Sequence, residues 1–255
     1  MRFEPAREAQ LLLAAIQFLT RLPVRPRHHD PHWLPRGAKF FPLVGVLVGL
    51  IGAAILLLAG RFWPAPIPQL LALTATLLAT GAFHEDGLAD SADSLGGWTR
   101  EKRLEIMKDS RLGTFGTLAL LLCLGVQLAA LGSMPLAVSA LALLASHAAG
   151  RFAAVLVMGA LPYAGEIAAS RIEHRADRPT PVEIAVATLF GLAPLLLLPP
   201  GRAIAGLLLG AAASSLAVWA LCRMLGGYTG DVLGATVVIF QTVFLLGVAA
   251  EIGSS

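Results

Sequence analysis

Residues 38–60 read AKFFPLVGVLVGLIGAAILLLAG, and after Lys39 no charged side chain interrupts them. At 1.5 Å per residue, a helix of this length crosses roughly 30 Å of hydrocarbon. A helix apolar on every face is buried on every face, in a large core or in a bilayer. Six further stretches share this character, at 65–83, 113–132, 134–160, 182–199, 202–222 and 232–250. The last is as clear as the first. The stretch 65–83 is weaker, because its C-terminal end runs into a polar motif. The pattern predicts an all-α, polytopic integral membrane helix bundle of six to seven transmembrane helices, folded as one domain over residues 1–255.

The N-terminus adds a shorter element. Arg2 and Arg7 precede an apolar stretch, Leu11–Leu19, which Gln17 interrupts. Thr20-Arg21-Leu22-Pro23 follows in place of a small-residue cleavage site, which argues against a signal peptide. The stretch is too short to span, so an interfacial or re-entrant helix is expected.

Composition agrees. Of the 255 residues 56% are hydrophobic and 14% charged, and mean hydropathy is +0.75. Soluble domains carry roughly 25% charged residues. The net charge of +3 comes without a basic stripe interleaved with aromatics, so nucleic acid is not an expected partner. Cys123 and Cys222 sit singly in apolar runs, which fits reduced thiols in the membrane core. His28, His29, Asp30 and His32 lie in a Pro-rich segment without helical spacing and read as a solvated loop.

Basic residues set the orientation. Alternation of seven spans puts 16 of the 19 Lys and Arg on one side, Arg2, Arg27, Arg171 and Arg175 among them. Arg61 and Arg202 fall on the other side, and Arg151 lies within a span. The positive-inside rule makes the rich side cytoplasmic, with the C-terminus outside. Most acidic residues, including Glu166 and Glu173, share that side. The expected location is a bacterial cytoplasmic membrane, with any chemistry in the cytoplasmic loops near 84–116 and 223–235.

The first of those loops holds His84-Glu85-Asp86-Gly87-Leu88-Ala89-Asp90-Ser91-Ala92-Asp93. Asp86, Asp90 and Asp93, at i, i+4 and i+7, share one face of a helix. Three like charges there repel, and a divalent cation removes the repulsion. Hard oxygen donors point to Mg²⁺ or Mn²⁺ rather than zinc, with Glu85 a further candidate ligand. Gly87, Ala89, Ser91 and Ala92 leave room for a phosphate beside the backbone. The plainer alternative is an acidic, solvated helix end.

Lys108, Asp109, Ser110 and Arg111 stand just before the next span. Cations and hydroxyls at a helix N-terminus suit an anionic phosphate, although a basic membrane anchor would look the same. The second loop holds Gly226-Gly227-Tyr228-Thr229-Gly230-Asp231. Thr229 and Asp231 there fit either a helix N-cap or the delivery of a ligand or general base. Within the fourth span His147 and Arg151 share a face. Intramembrane ionisable groups usually face the protein interior, where Arg151 would hold phosphate or pair a loop carboxylate.

These segments together resemble cobalamin synthase, the adenosylcobinamide-GDP ribazoletransferase family. The resemblance rests on His84–Asp93, Met107–Gly116 and Thr229–Ala235, with Phe18-Leu19-Thr20-Arg21-Leu22-Pro23 and Pro42-Leu43-Val44-Gly45 in order before them. It covers about residues 10–250. Ser94 departs from the glycine the pattern has after its third aspartate. The resemblance implies transfer of the phosphocobinamide group of adenosylcobinamide-GDP to α-ribazole or α-ribazole 5′-phosphate, with release of GMP and Mg²⁺ as cofactor. Roles follow for Asp86, Asp90 and Asp93 as metal ligands, with Lys108 and Arg111 on the phosphates. Asp231, or else His84, would be the proton acceptor. Partnership with other pathway enzymes and oligomerisation are both compatible with it.

Two rivals fit less well. A CDP-alcohol phosphatidyltransferase would need an aspartate three residues before Asp86, where Phe83 stands. A transporter would call for charges at the bilayer midplane and paired broken helices, and no internal repeat is seen.

Overall fold

The computed structural model describes residues 4–26, 33–165 and 177–250, and every regular element among them is helical. His28, His29, Asp30, His32, Arg2, Arg27, Glu166, Arg171, Glu173 and Arg175 lie outside the described residues.

Helix α1 (Pro5–Leu19) has 15 residues and buries Leu11, Ala15 and Leu19, one per turn. Its length, about 22 Å, falls short of a span. Phe18 fixes its far end, meeting the rings of Trp33, Phe41 and Phe83. Short α2 (Trp33–Gly37) runs through one 3₁₀ turn into α3 (Phe41–Ala59), making an apolar run of 27 residues. Four more helices are long and apolar enough to cross a membrane: α7 (Thr114–Ser133), α8 (Leu136–Ala160), α10 (Pro200–Leu225) and α11 (Gly230–Ala249).

The other two apolar stretches do not form full-length helices. α4 (Ile67–Thr80) ends after 14 residues and turns by 88° into α5 (Phe83–Asp93). α9 (Pro181–Leu192) continues only as a 3₁₀ turn, Ala193–Leu197. Pro194 has no N–H to give back to the preceding turn, which stops the α-helix there. The described chain thus has five clear spans, or six if the bent pair is counted. Hydropathy windows average over both breaks.

α8 and α11 are the most enclosed helices and form the centre of the bundle. α3 crosses α8 closely because Gly45 and Gly49 present no side chain. A Cβ on Gly49 would lie 2.7 Å from the Leu144 Cα, and one on Gly45 would collide with the His147 carbonyl. This is the small-xxx-small packing of helices in lipid, where close backbone approach replaces hydrophobic burial. α3, α9 and α11 each run antiparallel to α8, and α10 runs antiparallel to α11, so all polar turns gather at one end.

The bend that brings α5 to that end is a backbone device. Gly81 (φ 67°) and Ala82 (φ 55°) are both left-handed. Ala82 N–H donates to the Leu77 carbonyl (2.9 Å) and Gly81 N–H to that of Leu78 (3.3 Å). This is a Schellman closure of α4, and the chain leaves it across the α4 axis. α5 therefore lies over the polar end of the bundle, against the first turns of α11. A Cβ on Gly81 would strike the Arg21 side chain. Gly81→Ala should lower the melting midpoint in detergent by the equivalent of about 1–2 kcal/mol. Ala82→Gly should raise stability by up to about 1 kcal/mol by relieving the same strain. A Gly81→Ala protein that melts with the parent would show that the bend is held by something else.

Candidate active site

The polar end is assembled from three segments far apart in sequence. α5 lies against the first turns of α11, and glycines make the contact. A Cβ on Gly87 would lie 2.9 Å from the Asp231 carbonyl oxygen, and one on Gly234 would lie 2.9 Å from that of His84. Two backbones in direct contact place Asp86 and Asp90 beside Asp231. Gly87 thus serves helix packing rather than phosphate access, a correction to its expected role. Ala89 is likewise buried.

The loop after α5 forms the facing wall. A 3₁₀ turn (Ser94–Gly96) leads into α6 (Arg100–Ile106), which Thr99 caps by accepting from Lys102 N–H (3.2 Å). Arg100 anchors this helix. Its Nε donates to the Leu225 carbonyl (2.7 Å) and its Nη2 to that of Ala164 (3.1 Å). The chain then returns along α5. Asp86, Asp90, Met107, Lys108, Asp109, Ser110, Arg111 and Leu112 line one cavity of about 290 Å³. The two loop motifs expected to act together therefore do meet.

Within that cavity the charges are unevenly balanced. Arg111 forks onto Asp109, with Nε 3.0 Å from both carboxylate oxygens and Nη2 2.6 Å from Oδ2. That fork holds the Asp109 carboxyl down at about 2. Asp90 is the opposite case. Burial first, then the charges of Asp86, Asp231 and Asp93, push its carboxyl up to about 7. Carboxylates that resist joint ionisation are what a hard divalent cation neutralises. Among the described residues no three His, Cys, Asp or Glu side chains converge as a finished metal cage. The donor chemistry of Asp86 and Asp90 nonetheless fits Mg²⁺, being oxygen only and mutually repulsive, with Asp231 adding to the negative charge beside them.

Asp93 is turned to another task. Its carboxylate accepts from Gly113 N–H (2.7 Å) and Gly116 N–H (2.8 Å), the open donors at the start of α7. Thr229 is the N-cap of α11, accepting from Val232 N–H (3.3 Å), and its hydroxyl lies 3.4 Å from Asp231 Oδ2. The turn before it is tied to the end of α8: Tyr228 N–H donates to the Pro162 carbonyl and Ala164 N–H to the Tyr228 carbonyl.

Glu85 and His84 point elsewhere. Consecutive residues cannot share a helix face, and neither lines the cavity. His84 is buried beneath α5, 5% exposed. Glu85 Oε2 is buried without a hydrogen-bond partner, and its charge acts on Arg151. Arg151 itself is 1% exposed and donates from Nη1 to the His147 carbonyl (3.1 Å). It does not line the cavity, and its link to a loop carboxylate is electrostatic, to Glu85. Gln241 was not singled out from sequence, though a lone amide in an apolar span is a visible signal. Its Nε2 lies 3.0 Å from His147 Nδ1. Arg100 was missed as well, because its partners are backbone carbonyls.

Comparisons with known proteins place this arrangement. The family model for cobalamin-5-phosphate synthase matches residues 11–249. The adenosylcobinamide-GDP ribazoletransferase of Leptothrix cholodnii is 40% identical over 94% of this chain and 95% of its own. Its counterpart in Shewanella amazonensis is 41% identical over 94% and 95%, and that of Ralstonia nicotianae 42% over 92% of both chains. No solved structure matches the chain.

The split between Asp93 and its neighbours can be read in stability. Asp93→Ala removes the acceptors that close α7 and should cost about 1–2 kcal/mol. Asp86→Asn relieves repulsion and should leave the melt unchanged or slightly raised. Equal loss in both variants, by thermal unfolding in detergent, would mean that Asp93 has no capping role of its own.

Proposed function

The chain belongs to the cobalamin-5-phosphate synthase family, and from that premise we propose that it transfers the phosphocobinamide group of adenosylcobinamide-GDP to α-ribazole or its 5′-phosphate. GMP is the leaving product. One observation carries the reading: a single cavity joins Asp86 and Asp90 to Lys108, Ser110 and Arg111, with Asp231 behind them. Carboxylates on one wall and cations on the other suit a diphosphate bridged to the protein by a metal ion.

The reaction forms one P–O bond to the acceptor's ribose hydroxyl and breaks the P–O bond to GMP. Such transfers depend on positioning and charge neutralisation more than on covalent catalysis. Asp86 and Asp90 would hold Mg²⁺, which when bound would supply the positive charge that neutralises the diphosphate. Lys108 and the Ser110 hydroxyl bind the diphosphate from the opposite wall. Arg111 joins them when its fork on Asp109 exchanges for phosphate oxygens. Asp231, steadied beside Thr229, accepts the proton of the attacking hydroxyl. His84, buried behind α5, is the less suited base. Arg151 and Glu85 support α5 from below. The bias of Lys and Arg in the sequence toward the site's side supports a cytoplasmic face in a bacterial inner membrane for this chemistry.

The test is direct. Purified protein in liposomes, given adenosylcobinamide-GDP and α-ribazole 5′-phosphate, should release GMP and the cobamide product in equal amounts, and only with Mg²⁺. Asp86→Asn and Asp90→Asn should each lower turnover by at least about 10²-fold while folding is kept. Normal turnover in both, or turnover in EDTA, would overturn the site.

Asp90 also sets a pH dependence. Its folded pKa, about 7, lies above its unfolded value, so without divalent ions the native state keeps a proton that the unfolded chain gives up. That contribution to stability is present at low pH and is lost as pH rises through about 7. Mg²⁺ binding needs the ionised form, so affinity should fall about tenfold per pH unit below 7 and level off above it. Magnesium titrations by melting shift at pH 6, 7 and 8 check this, and a flat profile would remove Asp90 from the ligand set.

A further inference from the structure

We propose that a second site, on the side of α11 away from the carboxylates, binds one anionic phospholipid of the membrane. α8 and α10 both pack on α11 and barely on each other, which leaves a long groove between them with Thr236 and Phe240 as its floor. Thr236 stands about 200° round α11 from Gly234, which meets α5. The groove is therefore separate from the catalytic cavity, and it opens where neighbouring Leu208 and Leu216 are exposed.

Its chemistry selects the occupant. The walls are apolar, set by side chains such as Phe152, Leu156, Leu207 and Val218. Two of the hydroxyls lining it are already used, and a third, Ser215, is exposed. Ser214 donates to the Gly210 carbonyl (2.8 Å) and Thr236 to that of Val232 (2.7 Å). From Leu207 to Arg223 the groove follows α10 for about 24 Å, more than one leaflet of a bilayer roughly 30 Å thick. Its volume of about 610 Å³ is a third of the about 1,900 Å³ that a helix 10 Å across would fill over that length. It therefore fits a flexible chain better than a protein helix.

Charge then selects the headgroup. Among the described residues Arg223 is the one charged side chain lining the groove, and it sits at the polar end. Its guanidinium lies 5.1 Å from the ring centre of Trp219, a half-exposed residue at the lip, which holds the cation at the mouth. Arg100, bound to the Leu225 and Ala164 carbonyls, adds a second positive charge beside Gly226. Among the described residues no carboxylate lines the groove. An acyl chain along α10 thus ends with its phosphate at Arg223.

The test uses the full chain in nanodiscs of equimolar phosphatidylcholine and phosphatidylglycerol, followed by detergent extraction and mass spectrometry of retained lipid. The parent protein should retain phosphatidylglycerol over phosphatidylcholine by about fivefold, the preference one cation at a membrane surface gives. Its melting midpoint should be higher in discs containing phosphatidylglycerol. Arg223→Gln should bring the preference close to one with total retained lipid unchanged. Ala211→Phe, which fills the groove, should reduce both lipids together. If it does not fold, the Arg223→Gln result alone decides. Equal retention by the parent, an undiminished preference in Arg223→Gln, or a dimer in detergent that Ala211→Phe splits would each overturn the proposal.

Discussion

Gly87 and Gly234 hold α5 and α11 at backbone contact, and the polar end of the protein depends on that closeness. α5 is a poor helix in isolation. It has 11 residues, four of them acidic, and a glycine in its interior. Propensity alone does not keep such a segment helical. It persists because one face lies on α11 and because Asp93, at its end, closes the first turn of α7. The same contact that stabilises the helix forces Asp86, Asp90 and Asp231 together. Burial first, and then the repulsion among these carboxylates, raise the pKa of Asp90. Fold stability and a demand for cations are thus two consequences of one pair of glycines.

Beneath this layer a second polar cluster is sealed from water. His147 Nδ1 lies near the Gln241 amide (3.0 Å) and Arg151 Nη1 (3.2 Å), both of them donors, which makes this nitrogen an acceptor. Arg151 faces Glu85 electrostatically, and Glu85 adjoins Asp86 in sequence. Burying a guanidinium is expensive unless it is compensated. Here compensation comes from one carboxylate, one helix carbonyl and one imidazole. The cluster therefore links the middle of α8 to the first turn of α5 electrostatically, through Arg151 and Glu85.

Much of this arrangement was legible in the sequence. Hydropathy located the apolar stretches, and the asymmetry of Lys and Arg placed the motifs at one end. The i, i+4 spacing of Asp86 and Asp90 gave a shared face, which the cavity uses. What stayed hidden depends on tertiary partners. The seven-residue spacing of Asp93 fixed its face but could not reveal that α7 starts beneath it. Glu85 was grouped with the ligands by charge, although adjacency to Asp86 on a helix already turns it away. The bend at Gly81-Ala82 and the 3₁₀ turn at Pro194 are local backbone events that a twenty-residue average cannot see. Gly87 looked like room for a ligand because sequence does not say whether a gap is filled by substrate or by another helix.

The cavity's cationic wall is strung between two fixings. At one end Arg100 grips the carbonyls that finish α10 and follow α8, and at the other Gly113 is held by Asp93. Both fixings join to backbone or to a carboxylate of the scaffold, so the chain between them is a suspended span rather than a free flap. Its ends cannot separate without unwinding a helix terminus. The backbone that carries Lys108, Ser110 and Arg111 is therefore held at both ends before any ligand arrives. A substrate meets a wall that adjusts its side chains in place, and residues such as Glu101 and Glu105 along it are open to replacement as long as the two fixings remain.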